Sequence, residues 1–458
     1  MIKQRTVLVG TLAVIGILTL LVLSISVLVF PAYYDTTEKI IALAVAALTG
    51  VLVTAKGIKD AFELFSEVFP QHITSCTNLP RPAIFLGRTK EVSELLNYLK
   101  DKRVKTILVV GLGGIGKSSL VQETVHRTIK KFPGGAVWIS VRDFPEFTGE
   151  SCLQELCKVL GVQRESLLDY LKTKPTVVVI DNAETANVAE LRKVRNLIDS
   201  VPLSSGTKFV LTSRAVISLF TEKIDERVFY LHEGLDAKSA REYLVILSQK
   251  QAPYIDELIK AADWVVARVQ GHPKVLEIIA GTTRLRGWER VRVFLESLSG
   301  ELAERVEEIY SSSINLLAEE SRQVLPYLTL LPTARYSLSD IIPALGDSSS
   351  IRAIERIADS GLISYDAQSN CIVIHQTVYD YLREHYKLEP MSRAIAYFRL
   401  AQHFGNQGDL GAAVWMWCRA TGKDDVSLDT AISMWSETVR NWLKTRNQET
   451  ERLTRAST

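Results

Sequence analysis

Apolar and polar positions divide the chain into unlike stretches. Residues 6–30 carry no charge and are rich in Leu, Val and Ile, and a second, Ala-rich apolar run covers residues 40–55. At ~1.5 Å of helical rise per residue the first run can cross a ~30 Å hydrocarbon core. It also exceeds the ~7–15-residue apolar stretch of a cleaved signal peptide. Lys3 and Arg5 precede it, Lys56 and Lys59 follow the second run, and the connection 31–39 holds one basic residue, Lys39. The positive-inside rule predicts a transmembrane hairpin within residues 1–60, with both flanks in the cytoplasm. One span with its N-terminus outside, the second run being buried or interfacial, is the alternative. Either way the expected location is a plasma or inner membrane, with lipid as a partner and the rest of the chain cytoplasmic. Residues 58–72 predict an amphipathic linker helix ahead of a proline-containing linker.

Beyond residue 81 the period changes. Short β-rich runs at 105–110, 136–141, 176–180, 208–211 and 228–231 alternate with helical patterns, including 117–130 and 153–171, the latter interrupted at Gly161. That alternation predicts a parallel α/β sheet. The unbroken apolar run at 176–180 predicts a strand buried on both faces. After Asp236 helical patterns dominate. Near the end, Tyr397, Leu400, Ala401 and Phe404 share one helical face, and Gly408-Asp-Leu turns into a second helix at 412–420. Trp415, Trp417, Trp435 and Trp442 either pack on the preceding domain or form a partner surface.

Composition narrows this picture. A chain of 458 residues is too long for one core, so two to four domains are expected. A 47% hydrophobic and 23% charged content indicates a globular chain, and the formal net charge of +2 sets up no strong field. The five cysteines are scattered, without a Cys-x-x-Cys pair, which predicts neither a disulfide framework nor a zinc site.

The candidate chemistry lies in Gly111-Leu-Gly113-Gly114-Ile-Gly116-Lys117-Ser118, followed by Ser119. It fits the Gly-x4-Gly-Lys-Ser/Thr phosphate loop. Glycines let successive backbone N–H groups converge on phosphate oxygens, and the helix beginning near Lys117 directs its positive end at them. Lys117 is expected on the β and γ phosphates, and Ser118 on Mg²⁺. A strand before the loop and a helix after it supply the required context. Val177-Val-Val-Ile180-Asp181 ends a buried strand in an acid placed to hold Mg²⁺. Asn182 follows where a second acid is often found, and Glu184 lies nearby, so ATP hydrolysis to ADP and phosphate is expected to be slow. Phe209-Val-Leu-Thr212-Ser213-Arg214 ends a strand in an arginine able to sense a γ-phosphate through charge-assisted hydrogen bonds.

Taken in order, these motifs resemble the NB-ARC branch of the STAND signal-transduction ATPases, relatives of AAA+ proteins, over residues 81–385. Ile84-Phe-Leu-Gly87-Arg88 with Glu91 resembles the motif beside the adenine, Gly134-Gly-Ala-Val-Trp138 the second strand, and Thr212-Ser-Arg214 the sensor. Gly271-His-Pro273 resembles the Gly-x-Pro of the helical lid, whose proline lies near the base. Residues 301–386 are similar to the family's winged-helix domain, with helices at 311–330, 338–345 and 351–360 and a hairpin of Leu362-Ile-Ser-Tyr and Cys371-Ile-Val-Ile. Ile374-His375-Gln376 occupies the place of the Met-His-Asp motif, which implies that His375 contacts the ADP diphosphate; Ile374 and Gln376 depart from the motif.

The implied fold is an α/β P-loop NTPase domain (81–233) after a transmembrane hairpin (1–60) and a linker (61–80). A helical lid (234–300), a winged helix (301–388) and a short TPR-like helical segment (389–458) follow. Thirteen acids against six basic residues between Glu301 and Glu384 argue against DNA binding by the winged helix. The expected function is a membrane-anchored ATP/ADP switch with Mg²⁺, homo-oligomeric in the ATP state and triggered by an unknown protein or ligand. A membrane-tethered AAA+-like remodelling ATPase is the alternative, and a winged-helix transcription regulator a further one. No Asn-Lys-x-Asp guanine motif is present, and adenine is the expected base.

Overall fold

The computed structural model describes residues 78–82, 84–144, 146–248, 255–331, 333, 335–346, 350–366 and 368–422. They fall in one compact unit, Cys76–Thr458. At its centre are five parallel strands: β1 (Thr106–Gly111), β2 (Ala136–Ser140), β3 (Val177–Asp181), β4 (Lys208–Ser213) and β5 (Glu226–Leu231). Their order is β2-β3-β4-β1-β5. Because β4 pairs with both β1 and β3, the strand ends carrying the phosphate loop, Asp181 and Thr212 lie side by side.

Alternating side chains point to opposite faces, and here both faces are apolar. Ile107, Val109, Val177, Val179 and Val210 pack with Leu95, Leu120 and Val125. Leu108, Val178, Ile180, Phe209 and Leu211 pack with Leu156, Leu191 and Ile198 on the other face. This two-sided burial is what the apolar run at 176–180 predicts. The helix Gly149–Leu160 starts at a Thr148 capping box and stops at Gly161, which adopts a left-handed conformation. A shorter helix, Leu167–Thr173, follows.

Five helices come next: Ala237–Ser248, Ile255–Lys260, Ala262–Val269, Pro273–Arg286 and Trp288–Ser297. Beyond them the helix expected at 311–330 is broken. Leu302–Asn315 ends before Ala318, whose extended backbone starts Glu319–Val324, and Pro326 lies in a 3-10 turn at Leu325–Thr329. Helices Leu338–Leu345 and Ser350–Asp359 match the sequence reading closely. The expected hairpin forms β7 (Ile363–Asp366) and β8 (Cys371–Ile374), and β8 also pairs with a short strand, β6 (Arg335–Ser337), that the sequence pattern did not reveal. The helices Gln376–His385, Pro390–Gln407 and Leu410–Ala420 complete the unit. Leu400 and Trp415 are buried in the same apolar core as Leu276, Ile314 and Ile372, so Trp415 serves packing. Trp435 and Trp442 lie outside the described residues.

The expected membrane location is corrected here. A spanning helix needs ~20 predominantly apolar residues, and no helix among the described residues is long and apolar enough to cross a membrane. The longest of them, Pro390–Gln407, has 18 residues and carries Arg393 and Arg399. The runs at 6–30 and 40–55 and the linker helix at 58–72 lie outside the described residues. Membrane anchoring and a lipid partner find no support among the described residues.

Candidate functional site

The loop between β1 and the helix Lys117–Thr128 wraps the Lys117 side chain. Its ammonium donates to the carbonyls of Gly111 at 2.8 Å and Leu112 at 3.0 Å. Burial pulls the Lys117 pKa down, while Glu184 and Asp181 oppose that shift. Gly116 has φ 104°, a backbone conformation open to glycine. At Gly113 the constraint is space: a Cβ there would lie 2.0 Å from Thr377 Cγ2.

Asp181 is the hub of the polar end of the sheet. Its Oδ1 accepts from Ser118 Oγ at 2.7 Å and from Thr212 Oγ1 at 2.5 Å. Its Oδ2 accepts from Asn182 Nδ2 at 3.1 Å, and the Asn182 N–H donates to Thr212 Oγ1 at 2.9 Å. Burial raises the Asp181 pKa, and the Thr212 and Ser118 hydroxyls counteract it. A hydroxyl and a carboxylate this close are the donor set for a hard, oxygen-bound cation such as Mg²⁺, and so fit the cation expected with a nucleotide.

Arg214, just after β4, forms a salt bridge with Asp380 on the helix Gln376–His385 and places Nε 3.3 Å from Glu184 Oε1. Gln376 Nε2 donates to both Asp380 oxygens, at 3.0 and 2.9 Å. His375 caps the start of this helix: its Nδ1 accepts the Thr377 N–H at 3.3 Å and lies 2.8 Å from Thr377 Oγ1. Burial, then the nearby Lys274, depresses the His375 pKa well below the usual imidazole range. The ring is therefore neutral, with Nδ1 an acceptor and the proton on Nε2.

A second histidine caps the lid. His272 Nδ1 accepts from the Val275 N–H at 3.4 Å, so Nε2 carries the hydrogen donated to Gly113 O at 2.9 Å. Burial lowers its pKa to about 4. Arg88, in a left-handed backbone at φ 59°, donates to Ile115 O at 3.0 Å and pairs with Glu91 at 2.9 Å. Lys274 bonds Glu277 and Gly361 O, each at 2.9 Å, and the Tyr243 hydroxyl donates to Glu277.

Most of these residues line a cavity of about 540 Å³, although Thr212, His272, Thr377 and Asp380 are not in its lining; the volume falls within the ~300–1,000 Å³ of small-molecule sites. Arg88, Gly113, Gly114, Gly116, Lys117 and Ser118 line it. Ser119, Asp181, Arg214, Pro273 and His375 line it as well, whereas Gly111 lies behind Lys117 and contributes its carbonyl. The sequence reading did not single out Arg142, His272, Lys274, Arg335 or Asp380. Asp380 had a local signal: it is one helical turn beyond Gln376, so both can meet on one helix face.

A parallel β2-β3-β4-β1-β5 sheet, a glycine loop enclosing a lysine, and a hydroxyl–acid pair at adjoining strand ends define a P-loop NTPase, a nucleotide-binding class. Residues 80–266 match the family described as Novel STAND NTPase 1 (nSTAND1). Among curated relatives, the Disease resistance protein RPS4 of Arabidopsis thaliana is 20% identical over 311 residues, covering 65% of this chain and 25% of the relative. The Putative disease resistance RPP13-like protein 1 of the same plant is 24% identical over 263 residues, covering 52% and 24%. The chain thus spans about a quarter of the length of these relatives. The crystal structure of a STAND protein with a tetratricopeptide repeat sensor from Pyrococcus horikoshii aligns with a TM-score of 0.52 at 17% identity, covering 82% of this chain and 52% of that one. The match over residues 80–266 agrees with the STAND resemblance carried by the motifs.

Proposed function

We propose that the chain is an ATP/ADP-dependent conformational switch and that the described arrangement is its closed, ADP-type state. The supporting observation is the Arg214–Asp380 salt bridge, which ties the sensor position of the NTPase sheet to a helix more than 160 residues further along. In this reading Lys117 and the loop N–H groups hold the β-phosphate, Ser118 and Asp181 hold Mg²⁺, and Arg88 and Pro273 flank the base. His375 offers Nε2–H to the diphosphate. A γ-phosphate competes with Asp380 for Arg214, and losing that tie releases the helix Gln376–His385. Residues 301–388 are read as a winged-helix domain whose acid excess disfavours DNA, and the ATP state as homo-oligomeric. The trigger is an unassigned protein or ligand.

A second reading, a cycling remodelling ATPase, draws on Glu184. Its carboxyl lines the cavity, and burial raises its pKa towards the range of a general base. One experiment separates the two. The purified protein is denatured, its nucleotide identified by anion-exchange chromatography, and its mass in solution compared with ADP and with a non-hydrolysable ATP analogue. The switch predicts stoichiometric ADP and a larger assembly with the analogue. An empty site with steady turnover, or one mass under both conditions, would falsify it.

A further inference from the structure

A second cavity, of about 690 Å³, adjoins the nucleotide pocket; Arg142 and Gln376 line both. Its walls come from the end of β2, the helix Gln376–His385 and the two C-terminal helices. Five cations line it: Arg142, Arg383, Lys387, Arg393 and Arg419. The three acids are Glu146, Glu190 and Asp380. Asp380 is engaged by Arg214 and Gln376, and Glu190 by Lys193 at 2.9 Å and the Gly149 N–H at 2.7 Å. Cations thus outnumber acids in the lining by five to three.

Two of the guanidiniums are held against aromatic faces. Arg142 Cζ lies 4.6 Å from the Tyr379 ring centroid, and Arg419 Cζ lies 3.7 Å from that of Trp415. Tyr379 and Trp415 are themselves buried. A guanidinium stacked this way has a fixed plane, and paired in-plane N–H donors are the geometry that suits phosphate. Arg142 donates through Nη1 to Ile374 O at 3.3 Å, whereas its buried Nη2 has no hydrogen-bond partner among the described residues. A buried donor without an acceptor is costly unless a ligand supplies one.

We propose that this cavity binds a small, soluble, phosphate-bearing anion of up to nucleotide size, distinct from the nucleotide of the P-loop. Its volume exceeds that of the neighbouring pocket, and its cations lie on both the NTPase edge (Arg142) and the later helices (Arg383, Lys387). An occupant would bridge the same two parts that Arg214 and Asp380 join.

Calorimetric titration of the full chain with inorganic tripolyphosphate tests the site. It is run on protein preloaded with ADP and on Lys117→Ala protein, so that the P-loop is either filled or impaired. One equivalent is expected to bind in both. The exposed pair Arg383→Glu/Lys387→Glu should weaken it about tenfold or more, and Lys387→Ala alone less, with the melting temperature unchanged. Absence of binding to the ADP-loaded protein, or binding that the double charge reversal leaves intact, overturns the proposal. Because the Lys117→Ala arm needs no bound nucleotide, the cavity and the switch reading can fail separately.

Discussion

Arg214 and Asp380 are paired across the interface between the NTPase sheet and the helix Gln376–His385, and Gln376 braces the Asp380 carboxylate from one turn away. In the NB-ARC pattern the acid directly follows the histidine; here glutamine stands at that place and the acid four residues later. The carboxylate paired with Arg214 therefore comes from Asp380 and not from the position after His375.

Asp380→Asn tests the tie. The Arg214 side chain is 33% exposed and that of Asp380 40%, so the pair contributes ~1 kcal/mol or less to stability. The melting temperature should move by only a few degrees. If the pair holds the closed state, ADP release should accelerate by about fivefold, the equivalent of ~1 kcal/mol. Stopped-flow displacement of a fluorescent ADP analogue measures it; an unchanged rate removes Asp380 from the switch.

Gly113 and Thr377 form a steric pair between the phosphate loop and the same helix. Gly113→Ala puts a Cβ 2.0 Å from Thr377 Cγ2, and overpacking of this kind costs about 1–3 kcal/mol. Adding Thr377→Ser removes that methyl while keeping the hydroxyl that contacts His375 and Tyr310. Most of the lost stability should return in the double variant. Denaturant midpoints of the two single variants and the double give the coupling, and strictly additive losses would contradict the contact.

His272 makes stability depend on pH in a stated direction. Its pKa is about 4 in the folded chain and ~6.5 when unfolded. Above pH ~6.5 both states are neutral and the stabilisation is complete. As pH falls towards 4 the unfolded chain takes up a proton that the folded chain refuses, so stability declines. Between about pH 7.5 and pH 5 the loss from this residue is ~2 kcal/mol. Asn can still cap the helix but does not titrate, so His272→Asn should flatten this part of the profile. The difference between wild type and variant isolates it from the carboxylates, among them Asp181 and Glu184, whose raised pKa values act in the opposite direction.

What the sequence could disclose follows from how local each signal is. The glycine loop, the apolar β3 ending in Asp181 and the Thr212–Arg214 strand end are contiguous patterns, and each anticipated strand is present. The break after Asn315 was hidden because Leu316 and Leu317 continue the apolar pattern; only the extended backbone of Ala318 marks it. β6 is three residues long, too short for a period. In the sequence His272 is only the variable residue of Gly-x-Pro, whereas its capping of a helix and its bond to Gly113 O are set by its surroundings in space. Arg142, likewise, gains its place only when β2 is set beside β3.

Lys117 and Glu184 should separate binding from hydrolysis. Among the described residues Lys117 bonds only backbone carbonyls of its own loop and is desolvated there, so Lys117→Ala should leave the fold intact while removing charge-assisted bonds to phosphate worth about 1.5–3 kcal/mol each. Nucleotide affinity is expected to fall by about 10- to 150-fold. Glu184→Gln keeps the shape of the side chain and an oxygen that can accept from Arg214 Nε, now 3.3 Å from Oε1. It removes the capacity to take a proton from an attacking water, a contribution of about 100-fold or more where a general base operates. The glutamine variant should therefore co-purify with nucleotide like the wild type but retain ATP in place of ADP. Chromatography of the extracted nucleotide reads both variants at once. ADP in the Glu184→Gln protein at the wild-type level would assign the proton transfer to another group, and full nucleotide occupancy in Lys117→Ala would contradict the phosphate-loop reading itself.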